Sequence, residues 1–407
     1  MFCAFVLHLS DPYVAPFPLL NLELFSDFTA FDARFHLFHT PGFITLTEGE
    51  VYSYPPLMAV GQSVFYLFPH PLGTFLTVMV LMFVVVSVLF YRRLRRERIG
   101  VRSAAILVVA FLLSYPIWFG FVRANSEFLV WLVLTVGLWA IVRRNSYLAA
   151  ACFGVAGAMK LYPFIFFALL VSRRQYRQLL FGLAVSAAAY ISALGLESGS
   201  IAFSWQNRGV GVAALASMTY QGMMFYDHSL FELVKLVMVF VPTVLHRHHY
   251  ELPLQVAARA ERYYLVTFGV MGIVVFFAWI RKVPLLNQIV ALALLSVLLP
   301  PISFDYTLVE LYFPCALLIF AAIQQARRHQ GAMLPGLRNA LLLMAVVLAP
   351  ETELSAHHLT VSSLIKWVTL FALFVVSLRQ PFSMELAADA AFEGRGEPPQ
   401  QAPGLAA

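Results

Sequence analysis

Apolar runs close to the length of a bilayer crossing recur down the chain, at residues 74–91, 104–121, 128–142, 179–196, 229–245, 265–280, 285–299, 311–325, 337–350 and 360–378, with short polar breaks between them. A hydrocarbon core about 30 Å thick takes about 20 helical residues at roughly 1.5 Å each. Backbone polar groups in lipid must be satisfied within the segment, so runs of this length are helices. The expectation is an all-α polytopic membrane protein with roughly 10–12 transmembrane helices. Composition agrees, because 61% hydrophobic and 12% charged residues would leave a soluble globule coated in apolar surface.

The formal charge of +6 does not point to nucleic acid, since the basic residues sit in short clusters beside apolar runs. Arg92, Arg93, Arg95, Arg96, Arg98 and Arg102, with Glu97 alone against them, place the end of the run 74–91 in the cytoplasm. The chain then returns at Arg123-Ala124-Asn125-Ser126-Glu127, an external turn, and comes back to Arg143-Arg144. Both Arg143-Arg144 and Arg173-Arg174 read as cytoplasmic, and the apolar chain between them breaks at Lys160-Leu161-Tyr162-Pro163. The expected form is a shortened hairpin with its tip near the outer interface, tolerated where protein or a wet cavity surrounds it. Residues 197–226 form a second long external loop. The run 229–245 is expected not to cross, because crossing would put Arg281-Lys282 and Arg327-Arg328 outside. Residues 1–378 are expected to form one integral membrane domain, with 379–407 a disordered cytoplasmic tail rich in Ala, Pro, Gly and Glu. Met1 to Leu9 is too short to span, so either the start lies upstream or the protein copes with a short first helix.

The polar residues gather on one side. Between Ser10 and Gly73 six carboxylates (Asp11, Glu23, Asp27, Asp32, Glu48, Glu50) face one basic residue, Arg34. Asp27, Asp32, Arg123, Asn125, Glu127, Lys160, Arg208, His228, Asp305, Tyr306 and Glu310 all map to the external side or just beneath it. Ionisable groups there are costly unless they pair or line a site. Each also has a structural reading. Arg123 and Glu127 stand at i,i+4 and suit either a helix-surface ion pair or the start of a helix with Asn125 as its N-cap. Lys160 suits snorkelling, Asp305 a helix cap or a partner for a nearby Arg, and Tyr306 an interfacial belt. Tyr54-Pro55-Pro56 reads as positional, a Pro pair that stops the loop. His246, His248 and His249 lack ligand spacing with a carboxylate, and Cys3, Cys152 and Cys315 lack any CxxC pattern, so no metal site or disulfide framework is expected.

The order of these motifs resembles glycosyltransferase family 87. They are Asp-Phe in the first external loop, Tyr52-x-Tyr54-Pro55-Pro56, Arg123-x-Asn125-x-Glu127, Gly154-x-x-x-Ala158-x-Lys160-x-x-Pro163 followed by Arg-Arg, His228-Ser229-Leu230-Phe231, and Pro301-x-Ser303-Phe304-Asp305-Tyr306. The resemblance spans roughly residues 20 to 378. It implies a GT-C-type multi-helix bundle in a bacterial cytoplasmic membrane. It also implies a hexose donor, expected to be mannose, on a polyprenyl phosphate, with transfer to a lipid or glycan acceptor on the outer side. An aspartate of the first external loop is the implied base and maps onto Asp27. Some members carry Ser-Trp-x-His in the late motif, where this chain has Ser303-Phe304-Asp305-Tyr306, so a histidine role does not carry over.

Physically, single-displacement transfer needs a base for the acceptor proton as the anomeric carbon gains oxocarbenium character. Asp27 suits it, with Asp32 second. Positive charge belongs where phosphate charge develops, and Lys160, Arg123 and Arg208 are the candidates. Asn125, Glu127, His228, Asp305 and Tyr306 are the candidate substrate contacts, with no cofactor expected and the metal requirement left open by the sequence. The competing classes are a transporter with an external polar cavity and a lipid-carrier ligase. Against the transporter stand the absence of an inverted repeat, the absence of charge in the middle of several spans, and the one-sided polar residues.

Overall fold

A computed structural model describes residues 24–45, 54–207, 227–235, 237–238, 254–328, 333–349, 355–356 and 359–382. These are helical apart from loops and a two-residue antiparallel pairing of Ser355–Ala356 with Leu359–Thr360, so the chain is an all-α polytopic membrane protein. In order, α1 is Ser26–Phe35, α2 Pro56–Ser63, α3 Pro71–Arg96, α4 Val101–Leu112, α5 Tyr115–Arg123, α6 Glu127–Val142 and α7 Ser146–Met159. A 3-10 turn, Tyr162–Phe166, leads into α8, Phe167–Ser172. There follow α9 Tyr176–Ser198, α10 Leu254–Ala278, α11 Leu285–Leu298, α12 Tyr312–Arg328, α13 Pro335–Val347 and α14 Val361–Arg379.

Among the described residues, four stretches are long and apolar enough to cross a bilayer: Pro71–Arg96, Tyr176–Ser198, Arg259–Lys282 and Asp305–Arg327. The pair α4 and α5, bent by 41°, makes a fifth if taken as one span. Several other expected spans are apolar helices of 10–17 residues. The breaks have local causes. Pro116 lacks the N–H that would continue α4 into α5. At the end of α7, Lys160 turns to extended backbone and Pro163 opens a 3-10 turn instead of a further α-helical turn. Helix α7 and the limb 162–172 pack back on one another, as expected of a hairpin with limbs shorter than a full span.

Helix α11 is apolar on all sides, and every residue from Leu286 to Leu298 is buried. A helix with no solvated face belongs inside a bundle. Helices α12 and α14 and the turns before α8 and α12 pack around it. Helices α7 and α9 approach so closely that a Cβ on Gly154 would lie 2.3 Å from the Gly182 carbonyl oxygen, and one on Gly182 would lie 2.6 Å from the Ala150 oxygen. Small residues permit such contact between membrane helices. Gly154→Ala is therefore expected to cost about 1–3 kcal/mol, as overpacked cores do, seen as a lower thermal midpoint in detergent.

The chain stays tied to the bundle through Phe382, past the start expected for the tail. Asn287 Nδ2 donates to the carbonyls of Ser377 (2.8 Å) and Gln380 (2.7 Å), and its Oδ1 accepts from Phe382 N at 3.1 Å. Gln325 Nε2 donates to the Phe382 carbonyl at 2.7 Å. At the ends of α3 and α12, Arg327 donates to Glu97 at 3.0 Å, so two ends that the charge rule assigns to one side lie together. Most of the run 229–245, with its expected non-crossing form, lies outside the described residues, apart from the helix Leu230–Lys235 and residues 237–238.

Candidate active site

The turn between α5 and α6 builds the first part of the site. Helix α5 ends with Ala124 in the left-handed region, φ 49°, and Asn125 N donates back to the Gly120 carbonyl at 3.0 Å, a helix stop of the Schellman type. Asn125 Oδ1 then accepts from Glu127 N at 2.7 Å and starts α6. Arg123 and Glu127 therefore stand on different helices, and the i,i+4 ion pair is not formed. Phe25 N donates to the Val122 carbonyl at 2.7 Å and docks the start of α1 on the end of α5.

That docking delivers Asp27 to Arg123. Arg123 Nε reaches Asp27 Oδ2 at 2.9 Å and Nη2 reaches Oδ1 at 2.5 Å, a bidentate pair, while Asn125 Nδ2 reaches Oδ2 at 2.6 Å. The Asp27 side chain keeps 13% of its surface exposed and Arg123 24%, so the pair lies at the mouth of the cluster. A carboxylate has about four acceptor positions. Three are filled by these residues, and among the described residues nothing takes the fourth. Arg123 commits two of its roughly five N–H groups to Asp27.

Beneath this pair lies a second carboxylate, Glu127, fully buried. Lys160 Nζ donates to its Oε2 at 2.5 Å, and the Tyr162 hydroxyl donates to its Oε1. The Lys160 ammonium lies between two rings, 5.1 Å from the centroid of Tyr54 and 5.4 Å from that of Tyr306, within cation–π range. Lys160 thus points into the protein, not out to an interface. Burial, reinforced by the negative charge of Asp27, pushes the Tyr54 phenol above its ordinary range, so it stays a hydroxyl. Glu310 adjoins Tyr162 and accepts from Ser296 Oγ at 2.6 Å.

Three other expected site residues are placed differently. Asp32 is exposed and accepts from the Tyr66 hydroxyl at 2.8 Å. His228 and Asp305 are fully buried, with His228 Nε2 2.5 Å from Asp305 Oδ1, and Lys366 Nζ donates to the same oxygen at 2.9 Å. The cation that Asp305 meets is thus a buried lysine, not an arginine. Among the described residues, His228 Nδ1 and Asp305 Oδ2 have no hydrogen-bond partner. Such orphans in a buried polar group cost about 1–3 kcal/mol each. Arg208 and the histidines at 246, 248 and 249 lie outside the described residues. Among the described residues no three His, Cys, Asp or Glu side chains are grouped to hold a metal ion.

Sequence reasoning missed Lys366, Tyr162 and the ring of Tyr54. Lys366 had a signal, a single lysine inside the apolar run 360–378. It is a buried cation in the first turns of α14. Tyr162 and Tyr54 had none, since their partners come from other parts of the chain.

The sequence profile of glycosyltransferase family 87 matches residues 52–301, more than half of the chain. Tyr54, Arg123, Asn125, Glu127, Lys160 and His228 fall within that stretch. Asp27, Asp305 and Tyr306 fall outside it. No curated protein and no solved structure matches the chain.

Proposed function

The chain belongs to glycosyltransferase family 87 and is thus a membrane glycosyltransferase; from that premise we propose that it moves a hexose, mannose in the first instance, from a polyprenyl-phosphate carrier to an acceptor hydroxyl on the extracytoplasmic side. Asp27 is the general base. The observation that carries the reading is the pairing of Asp27 with Arg123 and Asn125 at the mouth of a buried cluster of paired charges. The bidentate guanidinium and the amide fix the carboxylate and leave one acceptor position for a hydroxyl. Its proton passes to Asp27 as the new C–O bond forms and the bond from anomeric carbon to phosphate oxygen breaks.

The departing phosphate needs positive charge, and the remaining N–H groups of Arg123 with the Lys160 ammonium supply it. The acceptor is a lipid or glycan hydroxyl. Short helices beside the site, α7 and the limb 162–172, suit sideways entry of a lipid tail. The outward orientation is supported by the arginine cluster 92–102 and by the meeting of Glu97 with Arg327.

Membranes containing the protein are expected to transfer label from polyprenyl-phosphate [14C]mannose to an endogenous acceptor. Transfer from GDP-mannose in carrier-depleted membranes is expected to be absent. Equal transfer from the nucleotide sugar would overturn the lipid donor. Solute flux without any transfer would overturn the enzyme in favour of a transporter.

A further inference from the structure

A column of three aromatic rings runs through the protein with a lysine at each end. Lys366 Nζ lies 4.6 Å from the Tyr115 ring centroid. Tyr115 and Phe119 are 5.6 Å apart, one helical turn along α5, and Phe119 stacks on Tyr306 at 6.1 Å with an interplanar angle of 23°. Tyr306 then lies 5.4 Å from Lys160 Nζ. Tyr115, Phe119 and Tyr306 are all buried and form their own apolar cluster.

The same lysine reaches Tyr306 by a second route, through the backbone. Its ammonium holds Asp305 Oδ1 at 2.9 Å, shared with His228 Nε2 at 2.5 Å, and Asp305 precedes Tyr306 in the chain. That turn is anchored further by Asp227 Oδ1, which accepts from Ser303 N at 3.0 Å, and by His228 N, which donates to the Ser303 carbonyl at 2.8 Å. Lys366 also caps the ring column, so its ammonium holds both the residue before Tyr306 and the far end of the stack that Tyr306 closes.

We infer that Lys366 is a positioning residue: held by Asp305 and seated on Tyr115, it sets the Tyr306 ring against Lys160 and so closes one wall of the cluster of paired charges. Lys366 touches no substrate and acts through Tyr306. The consequence for catalysis rests on the reading of Lys160 as a phosphate-binding residue, but the placement of Tyr306 against Lys160 does not.

The test therefore reads Lys160 directly. Purified protein in detergent is treated with formaldehyde and cyanoborohydride, and dimethylation of Lys160 is followed by mass spectrometry, with the exposed Lys282 as internal reference. In the unaltered protein Lys160 is expected to label slowly, covered by two rings and Glu127. Lys366→Met is expected to raise its rate roughly 3- to 10-fold, the scale of one lost cation–π contact, with Lys282 unchanged. Phe119→Ala, which breaks the column without touching a charge, is expected to do the same, and the double variant to exceed neither by more than a small margin. If Lys366→Met does not fold, Phe119→Ala decides. An unchanged Lys160 rate in folded Phe119→Ala or Lys366→Met, or rate increases that multiply in the double variant, would overturn the inference. A failure of sugar transfer in the unaltered protein would overturn the proposed donor and leave the labelling result standing.

Discussion

Asp27→Asn is expected to lower transfer about 10²- to 10⁴-fold while leaving the protein folded, the range for losing a positioned general base. The substitution preserves shape and keeps an oxygen for Arg123. What it removes is the capacity to take the acceptor proton and the charge of the pair. The stability cost is small because the pair lies at the mouth of the cluster, with 13% of the Asp27 side chain and 24% of Arg123 exposed. A pair between the exposed and buried cases contributes about 1–2 kcal/mol. Activity and stability therefore separate in this variant. Transfer should be measured per folded molecule, beside Asp11→Asn as a carboxylate of the same stretch of sequence. Full transfer by Asp27→Asn removes Asp27 as the base. Asp32, exposed and bonded to Tyr66, then becomes the carboxylate to test.

The legibility of this site in the sequence followed from where its constraints are local. Apolar length and arginine clusters are local, and they pointed to the class of fold; the break at residues 160–163 was legible too, whereas the 41° bend at Pro116, inside the run 104–121, was not anticipated. The glycine of the Gly154-to-Pro163 motif has a packing cause, the approach of α7 to α9. The residue types of the cluster were visible too, because charged groups beside apolar runs need partners.

Which partner each one takes was not visible. The i,i+4 spacing of Arg123 and Glu127 suggests one helix face, yet the left-handed Ala124 ends that helix between them and sends the two side chains to different partners, Asp27 and Lys160. Those partners lie 96 and 33 residues away, a separation that no window of sequence encodes. Helix length is subject to the same limit. A run of apolar residues reports that a segment is buried in lipid or protein, and only packing decides whether it forms one long helix or a short one held inside, as α11 is.

Lys160→Met is expected to be the most destabilising single change at the site, by about 3–5 kcal/mol, because it leaves the fully buried Glu127 carboxylate without its cation. Tyr162 still donates one hydrogen bond to Glu127, which offsets only part of the loss. Removing both charges should behave differently. In Lys160→Met with Glu127→Gln the buried amide keeps a partner in Tyr162, Met fills the space between Tyr54 and Tyr306, and most of the lost stability should return, since apolar replacement of a buried pair is often neutral. Activity should not return. If Lys160 serves the leaving phosphate, the double variant is folded and still depressed roughly 10²-fold, the scale for one electrostatic contact to a developing charge. Thermal midpoints and transfer rates of the three variants separate the two roles: stability and transfer recovered together in the double variant would make Lys160 a counter-ion for Glu127 and nothing more, and would leave the phosphate to Arg123.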